Sequence, residues 1–256
     1  MLKIRVIPVL LLKKQGLVKT VQFKNEKYIG DPRNAVKIFN EKEVDELIFL
    51  DIDASKTHNP PNFELIEEIS TECFVPFAYG GGITSVTEIK KLFSIGVEKV
   101  ILNSIFLNNP NIVKEASALF GSQSIVVSVD VKKNFFGKNR VYDSSKKKLT
   151  NLNPVDISIK AQEYGAGEVF INSVDRDGTF LGYDIELCET ISSRLSIPLI
   201  FCGGAKNLDD FSNAVKKGKA SAVAAGSMFV YHQKHRAVLI NYPKYEDLEI
   251  LFKGLI

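Results

Sequence analysis

Eight runs of apolar residues recur along the chain, and within each run the apolar positions are continuous instead of alternating with polar ones. Runs of this kind are typical of strands that are covered on both faces, as in a parallel sheet. The eight runs cover residues 4–12, 46–52, 75–79, 98–103, 124–130, 168–173, 198–202 and 221–226. They predict eight buried strands.

Between these runs the apolar residues follow helical spacing. The amphipathic segments cover residues 34–39, 63–69, 86–93, 112–120, 155–164, 185–195 and 208–215. Asp31 before Pro32 and Asn109 before Pro110 predict helix N-caps. Alternation of strands and helices indicates βαβ units, and eight such units close into a (β/α)8 TIM barrel of the α/β class.

The second half of the chain repeats the first in the order of its motifs. The matching segments are 5–14 with 124–133, 46–53 with 168–175, 75–82 with 197–204, and 100–106 with 223–229. Such an internal repeat indicates that one structural unit is used twice. We therefore predict a single barrel domain over residues 1–256, built from half-barrels of about 1–122 and 123–256.

The composition agrees with a barrel. A length of 256 residues suits this fold, which takes about 250 residues. The formal net charge of +3 is too small to argue for nucleic acid or an anionic membrane as a partner. Three cysteines and three histidines lie scattered without metal-ligand spacing, so neither a metal nor a cofactor is predicted. The cysteine usage and the lack of a signal-peptide pattern favour a cytoplasmic protein.

Glycine turns at the predicted strand ends point to phosphate. In this fold the active site lies at the carboxyl ends of the strands. Gly80–Gly82 and Gly203–Gly204 follow the third and seventh strands, and Asn103–Ser104 and Gly226–Ser227 follow the fourth and eighth. Backbone amides beside a helix N-terminus bind anions. Two such groups predict two phosphate sites and a small molecule phosphorylated at both ends. The alternative is that these glycines only permit tight turns.

The first and fifth strands face each other across the barrel, but their ends differ. An acid on each would supply a general acid and a general base. Asp130 ends the fifth strand, whereas Leu11 occupies the equivalent position of the first and cannot carry a proton. The sequence leaves the roles of two nearby features undecided. Asp175–Thr179 either serves the site or forms a turn, and Lys19 either reaches a phosphate or is solvated.

Two charged groups lie at opposite ends of the predicted barrel. Seven lysine and arginine residues between positions 132 and 148 predict a solvated hairpin that attracts anionic substrate. Four other charges mark the starts of strands, namely Arg5, Glu46, Lys99 and Glu168. From the residues alone, these four are interpreted as plain surface charges.

Three segments, together with the half-barrel repeat, resemble the HisF family, the cyclase subunits of imidazole glycerol phosphate synthase. They are residues 79–83 (Tyr-Gly-Gly-Gly-Ile), 120–124 (Phe-Gly-Ser-Gln-Ser) and 175–179 (Asp-Arg-Asp-Gly-Thr). The resemblance covers residues 1 to about 230. It implies a (β/α)8 barrel that docks at its bottom face onto a HisH-like glutaminase. Ammonia released there would run through the barrel to a site at the top.

The resemblance also implies roles for individual residues. Asp130 and Lys19 match catalytic positions. The implied phosphate contacts are Gly82, Asn103 and Ser104 at one site, and Asp177, Gly178, Gly204, Gly226 and Ser227 at the other. The four strand-start charges match the gate of the ammonia channel, which argues against the surface interpretation given above.

Leu11 departs from the family pattern, because HisF proteins carry a catalytic aspartate at that position. Loss of one member of an acid–base pair typically costs about 10²–10⁴-fold in rate. Residues 53–61 and 235–243 also differ, and these features resemble the WbuZ-type branch found with surface-sugar genes. That resemblance implies an ammonia-conducting barrel that works with a HisH-like glutaminase and an ATP-dependent sugar amidotransferase. The product would be an acetamidino sugar.

Two other functions stay open. One is a true cyclase of histidine biosynthesis, a lyase that acts on a phosphorylated substrate. The other is a non-catalytic scaffold that activates the glutaminase. A retained gate favours conduction over scaffolding, and Leu11 favours conduction over cyclisation.

Overall fold

The eight apolar runs form eight strands in the computed structural model, which describes residues 4–232 and 237–254. We label the barrel strands in chain order. They are β1 (Arg5–Lys13), β2 (Leu47–Asp51), β3 (Phe77–Gly80), β4 (Lys99–Leu102), β5 (Ile125–Lys133), β6 (Glu168–Ser173), β7 (Leu199–Cys202) and β8 (Ala222–Ala225).

Each of these strands pairs in parallel with the strands before and after it, and β8 closes the ring by pairing with β1. In β1, Arg5 lies opposite Ala222 of β8, and Val9 lies opposite Ile48 of β2. Parallel neighbours need a crossover connection, which the intervening helices supply. The predicted (β/α)8 barrel is confirmed.

Among the described residues, seven long helices connect the strands, and an eighth follows β8. They are α1 (Pro32–Glu41), α2 (Phe63–Glu72), α3 (Val86–Ser94), α4 (Asn111–Phe120), α5 (Pro154–Glu163), α6 (Ile185–Ser192), α7 (Leu208–Lys216) and α8 (Tyr245–Phe252). Short helices follow three strand ends, at Ala54–Thr57, Ser104–Asn108 and Ser227–Val230. A 3-10 turn at Ser122–Ser124 leads into β5. The sequence pattern predicted the first seven long helices but neither α8 nor the short ones.

One of the two predicted N-caps is correct. The Asp31 side chain accepts a hydrogen bond from the Arg33 amide at 2.8 Å, and Pro32 opens α1. Asn109 does not cap α4, because it ends the short helix Ser104–Asn108 instead, and Pro110 stands at the cap position. The short helix, which the sequence pattern did not predict, therefore shifts the N-cap position of α4 by one residue.

β1 and β5 are nine residues long, whereas the other barrel strands have four to six. Both long strands continue into antiparallel strands. The first hairpin comprises the end of β1 with Gly16–Val21 and Lys24–Gly30. The second hairpin comprises the end of β5 with Asn139–Asp143 and Lys148–Leu149. The second hairpin was predicted, but the first was expected only as a loop.

The carboxyl-terminal part of the chain packs after β8. Tyr231–His232 pairs with Ala237–Val238, and the Tyr242 hydroxyl donates to the Val6 carbonyl at 2.9 Å. Residues 235 and 236 of the divergent segment 235–243 lie outside the described residues. Within the described part of the chain, no helix combines the length and apolarity required to cross a bilayer.

The two faces of the barrel sheet form two apolar clusters. Successive residues of a strand point to opposite faces. Leu10 and Leu12 of β1 therefore pack outward against the helices, while Val9 and Leu11 pack inward. The inward cluster fills the barrel interior with side chains from the other strands, among them Phe170. The position of a residue along a strand thus decides whether it packs under a helix or faces the interior.

Packing between the helices and the sheet can be tested with two phenylalanines. Phe39 of α1 is 0% exposed, whereas Phe74 is 83% exposed. Phe39→Ala leaves a cavity in the outer cluster, so we expect the free energy of unfolding to fall by about 3–5 kcal/mol. Phe74→Ala is the matched control and should change it by less than about 0.5 kcal/mol. Urea unfolding followed by circular dichroism measures both values. Equal effects of the two changes would contradict this packing.

Candidate functional site

A cavity of about 990 Å³ opens at the carboxyl ends of the strands. Its lining includes residues singled out from the sequence, namely Leu11, Gly80–Gly82, Asn103, Ser104 and Asp130. The structure therefore brings the strand-1 and strand-5 positions and one of the two predicted phosphate sites into a single space.

Asp130 lies on β5 and is buried, with 5% of its surface exposed. Its Oδ2 accepts a hydrogen bond from Asn103 Nδ2 at 3.0 Å. Burial raises the pKa of Asp130 to about 7; Asp177 and Asp143 add to the rise, while hydrogen bonds to Ser144 and Asn103 oppose it. A carboxyl group that titrates near neutral pH can both donate and accept a proton, as general acid–base chemistry requires.

Across the barrel from Asp130 the cavity wall is apolar. Leu11 is buried at the end of β1 and shares the lining with Leu50 and Ile101. Another carboxylate that lines the cavity at a strand end is Asp51. Burial raises its pKa, and its Oδ1 accepts the backbone amides of Asp53 and Ala54 at 2.9 and 3.0 Å. Oδ1 of Asp51 is therefore held by its own turn, and the carboxylate lies at the end of β2, not at position 11 of β1.

The first predicted phosphate site lies in the cavity wall. Gly82 has a φ of +71°, and a Cβ there would lie 2.6 Å from the Asn59 carbonyl oxygen, so glycine is required. Its amide donates to Ser55 Oγ at 3.2 Å. Asn103 and Ser104 stand at the start of a short helix, where the first amides have no intrahelical acceptor. This arrangement suits an anion such as a phosphate group.

The second predicted phosphate site surrounds a separate and much smaller recess of about 10 Å³. Its lining includes Asp177, Gly178, Gly204, Gly226 and Ser227. Ser227 Oγ is buried and makes no hydrogen bond among the described residues. A buried hydroxyl without a partner is costly, and a bound anion would satisfy it. The donors therefore fit an anion, but the recess as it stands is too small for a phosphate group.

Lys19 lies beside this recess and is buried, with 4% exposed. Its Nζ is 3.4 Å from Asp177 Oδ1, and Thr20 Oγ1 donates to Asp177 Oδ2 at 3.1 Å. A Cβ on Gly226 would lie 2.6 Å from Lys19 Nζ. The alternative of a solvated Lys19 is therefore wrong. The Asp177 amide donates to the Ser173 carbonyl at 2.9 Å, so neither its amide nor its carboxylate is free for a phosphate in this arrangement.

The segment Asp175–Thr179 forms a turn and also accepts hydrogen bonds from both hairpins. The Thr179 amide donates to the Arg176 carbonyl at 3.1 Å. Asp175 Oδ2 accepts the Lys133 amide at 2.7 Å, and its carbonyl accepts Gln22 Nε2 at 2.8 Å. The turn that the sequence offered as one alternative is confirmed, and the role of this segment in the site stays a prediction.

The two hairpins meet over the cavity mouth. Phe23 of the first hairpin contacts Tyr142 of the second, with ring centroids 6.2 Å apart. Lys132 Nζ lies 5.5 Å from the centroid of the Tyr142 ring. Sequence reasoning missed Tyr142 and Ser144, since nothing in a solvated lysine-rich segment indicated that it would fold back to line the cavity.

Asn172 is a further residue that the motifs did not indicate. It lies opposite Asp130 in the β5–β6 pairing and lines the cavity, and its Oδ1 is buried without a hydrogen-bond partner among the described residues. The signal that could have found it is alternation along β6. Counting every second residue from Glu168 leads through Phe170 to Asn172, so all three share the inward face.

The four strand-start charges form a closed ring of ion pairs at the other end of the barrel. Arg5 pairs with Glu46 through Nη1 and with Glu168 through Nη2, the latter at 3.0 Å. Lys99 Nζ lies 3.0 Å from Glu46 and 3.1 Å from Glu168. Each carboxylate therefore contacts both cations. The surface interpretation of these charges is wrong, because Glu46 is only 2% exposed.

The ring is electrically neutral and mutually stabilised. Burial works against the charged form of Arg5, but the carboxylates of Glu168 and Glu46 outweigh it and raise the pKa of the guanidinium. A partly buried charge that loses its partner is strongly unfavourable. The ring therefore holds four mutually paired charges at the bottom of the barrel.

Comparison with known proteins identifies a family whose model matches most of the chain. A family model described as "Histidine biosynthesis protein" matches residues 5–236 of the chain.

Several curated proteins match nearly end to end. The chain is 49% identical over 250 residues to "Putative imidazole glycerol phosphate synthase subunit hisF2" of Pseudomonas aeruginosa, covering 98% of this chain and 100% of that protein. It is 48% identical over 255 residues to a protein of Leptospira borgpetersenii with the same kind of name, with 98% and 100% covered. It is 39% identical over 251 residues to "Imidazole glycerol phosphate synthase subunit HisF" of Dehalococcoides mccartyi, with 98% of each covered.

The burial of Asp130 predicts a stability effect with a defined pH dependence. Its folded-state pKa of about 7 exceeds the unfolded value of about 3.9, so the folded chain binds more protons between these values. Stability conferred by the protonated group is thus lost as pH rises through this window. We expect Asp130→Asn to raise the free energy of unfolding by roughly 2–4 kcal/mol at about pH 8 and to change it little at about pH 4.

Urea unfolding at both pH values measures this effect, with Asp143→Asn as a control of opposite sign. Burial alone would raise the pKa of Asp143, but hydrogen bonds from Ser145 and Lys146 lower it below the ordinary value. Its stabilising contribution is therefore present above the unfolded pKa, and the control should be less stable than the parent at about pH 8. A gain for Asp130→Asn that is equal at both pH values would contradict the assignment.

Proposed function

The chain belongs to the HisF family of histidine biosynthesis proteins, and we propose that it is the ammonia-conducting barrel subunit of a glutamine amidotransferase complex. Its partner would be a HisH-like glutaminase on the bottom face. The observation that carries the proposal is the combination of an intact ring of four gate charges with a leucine in place of one catalytic acid.

The ring and the interior support conduction. Above the ring, the inward side chains are apolar up to the cavity, among them Ile7, Ile48 and Phe170. An ammonium ion would lose its hydration there without compensation, whereas neutral ammonia carries no such penalty. A scaffold that only activates a glutaminase would need neither a lined interior nor a ring that can open.

Leu11 argues against cyclisation as the present activity. The cyclase reaction implied by the family uses an acid at the ends of both β1 and β5. In this chain only Asp130 is present, and Asp51 is tied to its own turn. One acid cannot serve at once as donor and acceptor on opposite sides of a ligand.

We further propose that the ammonia serves the synthesis of an acetamidino sugar, through an ATP-dependent sugar amidotransferase. Support comes from the residues in which the chain departs from HisF proteins, namely Leu11 and the segments 53–61 and 235–243. The first cavity, with its glycine turn and surrounding lysines, would then hold a phosphorylated or nucleotide-linked small molecule.

A true cyclase is the second candidate, and a specific observation favours it. Asp130 keeps a pKa near 7, and Gly82, Asn103 and Ser104 still line the cavity. Relatives that are 37–39% identical carry the name imidazole glycerol phosphate synthase subunit HisF. A cyclase would have to work without the acid at position 11.

The cyclase assay distinguishes the two candidates. Purified protein receives the phosphoribulosyl aminoimidazole substrate with abundant ammonium at alkaline pH, which bypasses the glutaminase. We expect turnover by the parent chain to be at least about 10²-fold below that of Leu11→Asp, because only the variant has two acids. Leu11→Asn, similar in size and polarity but without an acid, is the control and should stay inactive. Equal, measurable turnover of the substrate by the parent chain and by Leu11→Asp would contradict the conduction proposal.

The conduction of ammonia is tested by a substitution in the ring of four charges. Lys99→Met removes the cation that joins Glu46 to Glu168, whereas Lys216→Met removes a lysine from α7 outside the ring. In a complex with the glutaminase, labelled glutamine and unlabelled ammonium compete as nitrogen sources for the product of Leu11→Asp. We expect Lys99→Met to lower the labelled fraction at least about twofold while glutamine hydrolysis continues, since a disrupted ring leaks ammonia. An unchanged labelled fraction would favour the scaffold.

A further inference from the structure

The tip of the second hairpin displays two aromatic side chains to solvent. Phe135 is 98% exposed and Phe136 is 81% exposed. Their rings contact each other edge to face, with centroids 5.7 Å apart. Neither residue lines the cavity, so the proposed function gives them no role. Two adjacent phenylalanines lose a favourable burial of apolar surface in this position.

The backbone of the tip is firmly built. The Gly137 amide donates to the Asn134 carbonyl at 2.9 Å, and the Asn134 amide donates to the Lys138 carbonyl at 2.9 Å. Asn134 Oδ1 also accepts the amides of Phe136 and Lys138, at 3.0 and 2.9 Å. With Gly137 at a φ of +75°, this is a tight three-residue hairpin loop. Such a loop works with polar residues at its centre, so the turn itself does not demand phenylalanine.

Positive charge flanks the aromatic pair. Lys133 and Lys138 are exposed on either side of the tip, and Lys132 lies opposite Arg140 one position further down. Lys133 Nζ lies 3.4 Å from Asp184, yet its side chain remains 46% exposed. The sequence has no acidic residue from 131 to 142. The tip therefore exposes two apolar rings flanked by basic side chains, although the net charge of the whole chain is only +3.

We propose that this tip is a peripheral contact for an anionic lipid bilayer. Aromatic rings enter the boundary between headgroups and acyl chains, and each nearby lysine or arginine adds attraction to anionic lipid. A protein partner is less favoured, because a stable protein interface takes about 800 Å² from each side, far more than two rings provide. A bilayer needs no matching pocket. The contact would hold the cavity mouth towards the membrane, and it does not depend on the proposed ammonia function.

The absence of tryptophan from the sequence allows a site-specific test. Phe135→Trp places a single reporter at the tip of the full-length chain, and Phe74→Trp places one at another exposed phenylalanine. Vesicles of phosphatidylcholine alone are compared with vesicles that also contain phosphatidylglycerol. We expect a blue shift of Phe135→Trp fluorescence with the anionic vesicles, reversed by high salt, and none for Phe74→Trp. A Phe135→Trp spectrum unchanged by anionic vesicles would overturn the proposal.

Vesicle sedimentation provides the second measurement. Replacing Phe135 and Phe136 together by serine should lower partition onto anionic vesicles by roughly tenfold or more, because the apolar anchor is lost. Lys138→Glu should weaken it as well, and the Phe74→Ser control should leave it unchanged. If the double variant still sediments like the parent, the exposed lysines at 146–148 bind the lipid and the tip is not the contact. If no chain sediments with either vesicle, the rings meet something other than a membrane.

Discussion

Closure of eight parallel strands into one barrel is the constraint on which the rest of the molecule depends. It fixes the register of every strand, so only alternate residues reach the interior. On β1 these are Arg5, Ile7, Val9 and Leu11. A single strand therefore contributes in turn to the charged ring, the apolar interior and the cavity. A slip by one residue would turn Leu10 and Leu12 inward and dismantle all three at once.

The same closure determines how charge is distributed. At the bottom, two cations and two carboxylates contact one another and cancel. At the top, Lys19 is used by Asp177, so it does not neutralise Asp130. Burial then governs the pKa of Asp130 and brings it to about 7. The two ends of the barrel therefore differ. The bottom charges are paired with one another, whereas Asp130 at the top is held by hydrogen bonds from Asn103 and Ser144.

Much of this arrangement could be predicted from the sequence, because it depends on local patterns. Continuous apolar runs predicted the strands, and the strand ends predicted the candidate residues, including the contrast between Leu11 and Asp130.

Contacts between distant segments could not be predicted from these local patterns. Glu46 looks like a surface charge until Arg5 and Lys99 surround it. Tyr142 lies in a lysine-rich stretch that looks solvated, and only the antiparallel pairing of the second hairpin brings it over the cavity. The contact of Lys19 with Asp177 likewise joins distant segments, which spacing does not determine.

For the ammonia that we propose as cargo, these features place Asp130 where the interior meets the cavity. The apolar interior disfavours the ammonium ion far more than the uncharged base, because the ion would lose its hydration there. Leu11, Leu50 and Ile101 offer no proton where the interior widens into the cavity. Asp130 is a buried carboxyl in the lining of that cavity, and its pKa near 7 lets it be found in either protonation state. Protonated Asp130 would convert ammonia into a charged, unreactive ion, whereas ionised Asp130 would leave it nucleophilic. The leucine at position 11 thus removes one proton exchange at the end of β1 and leaves Asp130 as the acid at the end of β5.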